Sequence, residues 1–211
     1  MVTGDDSIIA PMKKSTRLRF NDPTPDLELT TAGGERVRLS ALWAKQPLLL
    51  LLTRHFGCPQ CKVMLDEIVK LKPQLEQSGL TLAAITQGKS EEVATFCRQY
   101  APGILCLADP QRQAYRLYRL ERGGLLQTFL SPRVWVSNSR AKKKGYNVEP
   151  TPAGQDAMQM SGVFIIGTDG IIRLPYYYDN IADHPPAHLL LSGVLSTGWD
   201  TPFDAPLASD R

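Results

Sequence analysis

From Pro47 to Leu52 the chain carries its longest apolar run, and with Thr53 this stretch reads as one strand without polar alternation. A strand of that kind is buried on both faces, as in the middle of an α/β sheet. It ends at Arg54-His55-Phe56-Gly57 and passes directly into Cys58-Pro59-Gln60-Cys61. Beyond the cysteines, Met64, Ile68, Leu71 and Leu75 recur at spacings of four, three and four, one stripe of a helix. Pro73 is expected to kink or shorten that helix, and Gly79 to stop it.

The same alternation continues downstream. Leu80–Thr86 reads as a strand. Ser90 caps a helix whose apolar face is Val93, Phe96, Cys97 and Tyr100. Ile104–Ala108 is a short strand, and Asp109-Pro110 starts a helix. Upstream, Leu27–Leu29 and Val37–Leu39 flank Ala32-Gly33-Gly34 as a β-hairpin, and Ser40 caps a short helix through Trp43. Late in the chain, Gly162–Ile166 and Ile171–Leu174 flank the turn Thr168-Asp169-Gly170, and an apolar helix follows Pro185-Pro186. Tyr176, Tyr177 and Tyr178 are expected to cover the sheet edge, and His184 to be structural. Residues 1–24 read as an N-terminal arm and 25–198 as one domain. Within it, 131–156 form a polar loop insertion carrying the Lys142-Lys143-Lys144 run, and 199–211 form a tail. The predicted class is α/β, a central mixed sheet flanked by helices with an N-terminal β-hairpin. A thioredoxin-like fold has this order.

The 211 residues suffice for one such domain. A net charge of +3 is too mild to argue for nucleic acid. The apolar run is far short of the roughly 20 residues of a membrane span. The first residues, with Asp5 and Asp6, do not read as a signal peptide. The expected compartment is therefore the cytoplasm, where thiols are kept reduced. There, a close cysteine pair is catalytic or metal-binding rather than structural.

Cys58 and Cys61 sit where a buried strand ends and a helix begins. The unpaired N–H groups and partial positive charge of a helix N-terminus favour an anion there. A thiolate is such an anion and is the nucleophile of exchange. Cys58 is thus the attacking thiol and Cys61 the resolving one. Arg54, His55 and Lys62 add positive charge nearby; His55 either supports the thiolate or packs. Zinc is the rival reading: His55, Cys58 and Cys61 have ligand-like spacing, although Cys97 and Cys106 are not placed in sequence as a second knuckle. Cys97 and Cys106 read as buried small hydrophobes, with a distant resolving thiol as the alternative. A non-enzymatic binding or redox-sensing protein on the same scaffold is the competing function.

The stretch Leu50–Glu67, LLLTRHFGCPQCKVMLDE, resembles the AhpC/TSA-type peroxiredoxin-like proteins of the peroxiredoxin-like 2 and selenoprotein L-like group. Gly154-Gln155-Asp156-Ala157, Ser161–Ile166 with Asp169-Gly170, and Ala182–Pro186 support the likeness. The resemblance implies a thioredoxin fold with Cys58 and Cys61 as redox pair and no cofactor. It implies a peroxide or protein disulfide as oxidant, and a dithiol protein or glutathione as reductant. A homodimer is among the open oligomeric states. In the Pro-x-x-x-Thr-x-x-Cys loop of typical peroxiredoxins, the Thr place is here His55 and the Pro place Leu51. No proline immediately precedes Gly162, where Met160 and Ser161 stand.

Overall fold

The apolar run lies in the interior of a sheet with a helix-covered core on each side. The computed structural model describes residues 17–124, 128, 132–192 and 199. The elements in chain order are β1 Glu28–Thr31, β2 Arg36–Arg38, α1 Leu39–Trp43, β3 Leu48–Leu52, α2 Pro59–Gln77, β4 Thr81–Thr86 and α3 Ser90–Tyr100. They continue with β5 Leu105–Ala108, α4 Gln113–Leu117, α5 Pro132–Lys143, β6 Gly162–Ile166, β7 Ile172–Tyr177 and α6 Ala187–Ser192. The seven strands lie in the order β2-β1-β5-β4-β3-β6-β7. The β3–β4 and β4–β5 pairs are parallel and the others antiparallel.

Because successive strand residues face opposite sides, the five leucines of β3 divide between two cores. Leu49 and Leu51 join Met64, Leu65, Ile68 and Val93 on the α2–α3 side. Leu48, Leu50 and Leu52 join Leu39, Trp43, Tyr115 and Phe164 on the α1–α4 side. All five are fully buried. Helix α2 runs unbroken through Pro73 to Gln77, so the proline does not shorten it, and Gly79 stops it at φ +88°. No helix among the described residues is long and apolar enough to cross a membrane.

Several sequence expectations need correction. The segment 131–156 is not simply a loop: Pro132–Lys143 is helix α5. Its buried stripe is only Val134 and Ala141, too sparse to stand out among polar neighbours. Lys142 and Lys143 lie in its last turn, where cations complement the helix dipole, and Lys144 Nζ pairs with Glu67 of α2 at 2.8 Å. Residues 18–24 are not a loose arm. Asn21 N–H donates to Ile172 O at 2.9 Å, Ile172 N–H to Asp22 O at 3.0 Å, and Thr24 N–H to Gly170 O at 2.9 Å. Residues 1–16 and 200–211, the remainder of the expected arm and most of the tail, lie outside the described residues. The α1 start is capped by Asp26, whose Oδ1 accepts from Ser40 N–H at 3.0 Å, rather than by Ser40. Helix α3 has Lys89 as its N-cap, whose N–H donates to Glu92 Oε2 at 3.0 Å. Asp109 reaches four and five residues on, accepting from Gln113 and Ala114 N–H at 2.8 Å each, and α4 begins only there.

The largest departure concerns Cys97 and Cys106, which form a disulfide between α3 and β5 rather than two reduced core thiols. The two cysteines lie nine positions apart. That spacing becomes a contact only because α3 folds back over the strand it precedes. With Cys58 and Cys61 replaced by serine, reduction of Cys97–Cys106 is expected to lower the unfolding free energy by about 2–3 kcal/mol, the loop-closure value for so short a ring. Urea denaturation with and without reductant measures this; coincident curves would contradict it.

Candidate functional site

Beyond β3 the chain turns sharply to place both cysteines at the start of α2. Thr53 stays tied to the sheet: its N–H donates to Ile85 O at 3.0 Å, and its carbonyl accepts from Tyr115 OH at 2.6 Å. Cys58 N–H then donates to His55 O at 3.1 Å, closing the turn. Cys58 is the N-cap of α2 with extended backbone, and Pro59 opens the helix, where a missing N–H costs nothing. Both thiols are free and buried, at 1% and 3% exposure.

Arg54 organises this corner. Its guanidinium is buried and donates through Nε to Gln159 O at 3.0 Å, through Nη2 to Ala157 O, and through Nη1 to Cys58 Sγ at 3.3 Å. Its backbone N–H donates to Cys61 Sγ, also at 3.3 Å. One residue thus touches both sulfurs. Burial alone would push the Cys58 thiol up. The hydrogen bond from Cys61, the Arg54 charge and the α2 N-terminal N–H of Cys61 outweigh it, so Cys58 is lowered to about 6. Cys61 moves the opposite way, driven up first by burial and then by its bond to Cys58 and that sulfur's charge. The pair is therefore asymmetric at neutral pH: an anionic Cys58 beside a protonated Cys61.

The other predicted residues fall differently. Burial, and then the Arg54 charge, lower His55 to about 4, so it is neutral. Its Nδ1 lies 3.2 Å from Thr151 Oγ1. Among the described residues, no three His, Cys, Asp or Glu side chains are grouped to hold a metal ion. His55, weighed as a third zinc ligand, is instead engaged with Thr151. Lys62 is buried, pairs with Glu149 Oε1 at 2.6 Å, and lies 4.7 Å from the Tyr100 ring centre. His184 is packed against Tyr178, with Nδ1 3.1 Å from the phenol oxygen.

The residues to which the sequence assigned no part in the site come mostly from the segment beyond α5, which covers the cysteine corner. Glu149 N–H donates to Gly57 O at 3.1 Å. Here only glycine fits, since a Cβ on Gly57 would lie 2.4 Å from the Glu149 carbonyl oxygen. Phe56 N–H donates to Gln155 Oε1 at 2.9 Å. Asp156 N–H donates to Gln87 Oε1 at 2.7 Å. Gln60 Oε1 lies 3.5 Å from Cys58 Sγ, and its amide nitrogen donates to Asn138 of α5. Ser161 Oγ lies 4.0 Å from Cys61 Sγ. The signal for this cover was the 154–157 block itself, whose main-chain carbonyl at Ala157 receives Arg54.

Comparison with known proteins follows the same lines. Residues 20–174 match the model of the AhpC/TSA family. Peroxiredoxin-like 2C of Mus musculus is 26% identical over 176 residues, covering 80% of this chain and 77% of the relative. Prostamide/prostaglandin F synthase of Salmo salar is 28% identical over 166 residues, covering 75% and 79%. Among solved structures, peroxidoxin BcpB from Mycobacterium tuberculosis superposes with a TM-score of 0.58 at 17% identity, over 79% of this chain and 90% of its own, a likeness of fold alone. The architecture is thus the thioredoxin-like fold of the peroxiredoxins. The family match spans well over half of the 211 residues, and the protein belongs to the AhpC/TSA family.

Proposed function

We propose that this protein is a thiol-dependent reductase of small peroxides, with Cys58 as the attacking sulfur and Cys61 as the resolving one. The observation that carries this reading is the buried Arg54 guanidinium 3.3 Å from Cys58 Sγ. In the first step the Cys58 thiolate attacks the distal oxygen of a hydroperoxide. The O–O bond breaks, the alkoxide or hydroxide leaves and takes a proton, and Cys58 becomes a sulfenic acid. In the second step Cys61 gives up its proton, its sulfur attacks Cys58 Sγ, and water leaves as the Cys58–Cys61 disulfide forms. Two equivalents of an external thiol, or one of a dithiol, supply the two electrons that restore both thiols. Arg54 serves twice, holding the thiolate in the ground state and offering a fixed cation beside the oxygen that gains charge as the O–O bond breaks.

Burial supports a peroxide rather than a protein disulfide as oxidant. A disulfide of another protein must bring a bulky sulfur pair in line with Cys58 Sγ. Cys58 is 1% exposed, with Arg54 and Gln60 against its sulfur. A two-oxygen group needs far less space.

Two outcomes test this reading. Without added reductant, one equivalent of hydrogen peroxide converts the native protein to the Cys58–Cys61 disulfide. Cys61→Ser consumes an equivalent but leaves a dimedone-reactive sulfenic acid on Cys58, and Cys58→Ser consumes none; equal behaviour of the two variants would defeat the assignment. Arg54→Met leaves burial acting on Cys58 unopposed by the guanidinium. The midpoint of its iodoacetamide alkylation then rises from about 6 to above about 8.5, the ordinary thiol value. An unmoved midpoint would show that Arg54 does not set the charge state.

A further inference from the structure

Arg54 shares the Cys58 sulfur with a second polar side chain. Gln60, in the first turn of α2, is 1% exposed, and its Oε1 accepts from Cys58 Sγ at 3.5 Å. Its Nε2 donates to Oδ1 of Asn138, a half-buried residue of α5. Among the described residues, these two side-chain amides hydrogen-bond only to each other and to Cys58. An acceptor facing the sulfur suits a protonated Cys58. The Arg54 guanidinium, 3.3 Å from the same sulfur, favours the thiolate. A carbonyl oxygen facing a buried anion is unfavourable, whereas an N–H in its place makes a charge-assisted hydrogen bond.

We propose that Gln60 and Asn138 form a paired-amide switch that follows Cys58 through the reaction: Gln60 donates an N–H to the thiolate, then turns over and accepts the O–H of the sulfenic acid. This rests on Cys58 as the attacking sulfur of the proposed function and adds Gln60 to its catalytic side chains. The N and O ends of an amide have nearly the same shape, so turning end over end asks no extra room of a packed corner. When Gln60 turns, its oxygen meets Asn138, which turns as well and donates through Nδ2. The bond between the amides is kept in both states with its direction reversed. No other hydrogen bond of either amide opposes the turn among the described residues. Arg54 cannot play this part, since a guanidinium only donates. Tyr178, which also feels the Cys58 charge, stays neutral because burial pushes its phenol up.

The switch acts at two points. Before oxidation, the Gln60 N–H shares the thiolate charge with Arg54, so more of Cys58 is ionised at a given pH. After the first step, the sulfenic acid carries a proton that an acceptor holds in place. Its deprotonated form, the sulfenate, is the one that a second hydroperoxide oxidises. The sulfur then bonds the distal oxygen, the O–O bond breaks, and the alkoxide or hydroxide leaves and takes a proton, giving a sulfinic acid. By holding the O–H proton, Gln60 keeps the sulfenate scarce until Cys61 forms the disulfide.

The test reads two quantities in three variants. One is the midpoint of iodoacetamide alkylation of Cys58. The other, in a Cys61→Ser background, is the rate at which excess hydrogen peroxide turns the Cys58 sulfenic acid into sulfinic acid. Gln60→Met keeps the side-chain length and loses both roles. Its alkylation midpoint is expected to rise by about one unit, and its sulfinic acid to form roughly tenfold faster. Asn138→Asp can only accept, so it holds the Gln60 N–H and leaves Oε1 facing Cys58. Its midpoint rises likewise, but its sulfinic rate stays within about twofold of the parent rate. It also reads the midpoint alone should Gln60→Met fail to fold. Ser139→Asp adds the same charge on the exposed face of α5 and moves neither quantity. An unmoved midpoint or sulfinic rate in Gln60→Met would overturn the switch and leave the proposed function in place. So would an unmoved midpoint in Asn138→Asp, a sulfinic rate there as fast as in Gln60→Met, or an equal midpoint rise in Ser139→Asp. Absence of any sulfenic acid in Cys61→Ser would overturn both.

Discussion

A guanidinium removed from water must find acceptors, and the Arg54 side chain finds two main-chain oxygens and a sulfur. The carbonyls of Ala157 and Gln159 satisfy its N–H groups without cancelling its charge. Cys58 Sγ is the partner that can do both, by ionising. The cation and the thiolate are therefore conditions of each other: without the guanidinium, burial returns the proton to Cys58, and without the thiolate, a buried charge stands unpaired. Breaking such a pair from one side is costly, about 3–5 kcal/mol in comparable cases. The same bonds tie the chain around 157–159 to the end of β3. The cover over the cysteines and the charge inside it are thus parts of one arrangement.

Lys62 repeats the logic one helical turn on. Its ammonium is buried against Glu149 and the Tyr100 ring, and Glu149 also holds Gly57 through its backbone. Two buried cations therefore pin one segment across the helix N-terminus. The result is a buried, positively polarised corner in which an anion gains most from fixed donors. His55 cannot add to that charge, since burial and its two cationic neighbours keep it neutral. Its place is structural, with Thr151 as partner.

How far the sequence foretold this differs from part to part. The Leu48–Leu52 run and the following stripe were legible because burial on two faces and on one helical face leave distinct apolar periods. The cysteine corner was legible because strand, CxxC and helix are adjacent in the chain. Helix α5 was obscured because its buried stripe is two residues, Val134 and Ala141, among charges. Cys97–Cys106 was hidden for another reason: a cysteine on an apolar helix face and one in a strand look like ordinary core residues until the helix is laid on the strand. The main-chain partners of Arg54 escaped notice because they are backbone carbonyls, which any residue type supplies.

The claim that Arg54 and Cys58 form one reactive ion pair is tested most directly by the rate constant of the reduced protein with hydrogen peroxide between pH 5 and 9, measured by stopped flow. A rise through a midpoint near 6 to a plateau at least about a hundredfold above free cysteine is predicted, the scale that a positioned donor supplies. A rate that keeps climbing past pH 8, or a plateau no faster than free cysteine, would contradict the account.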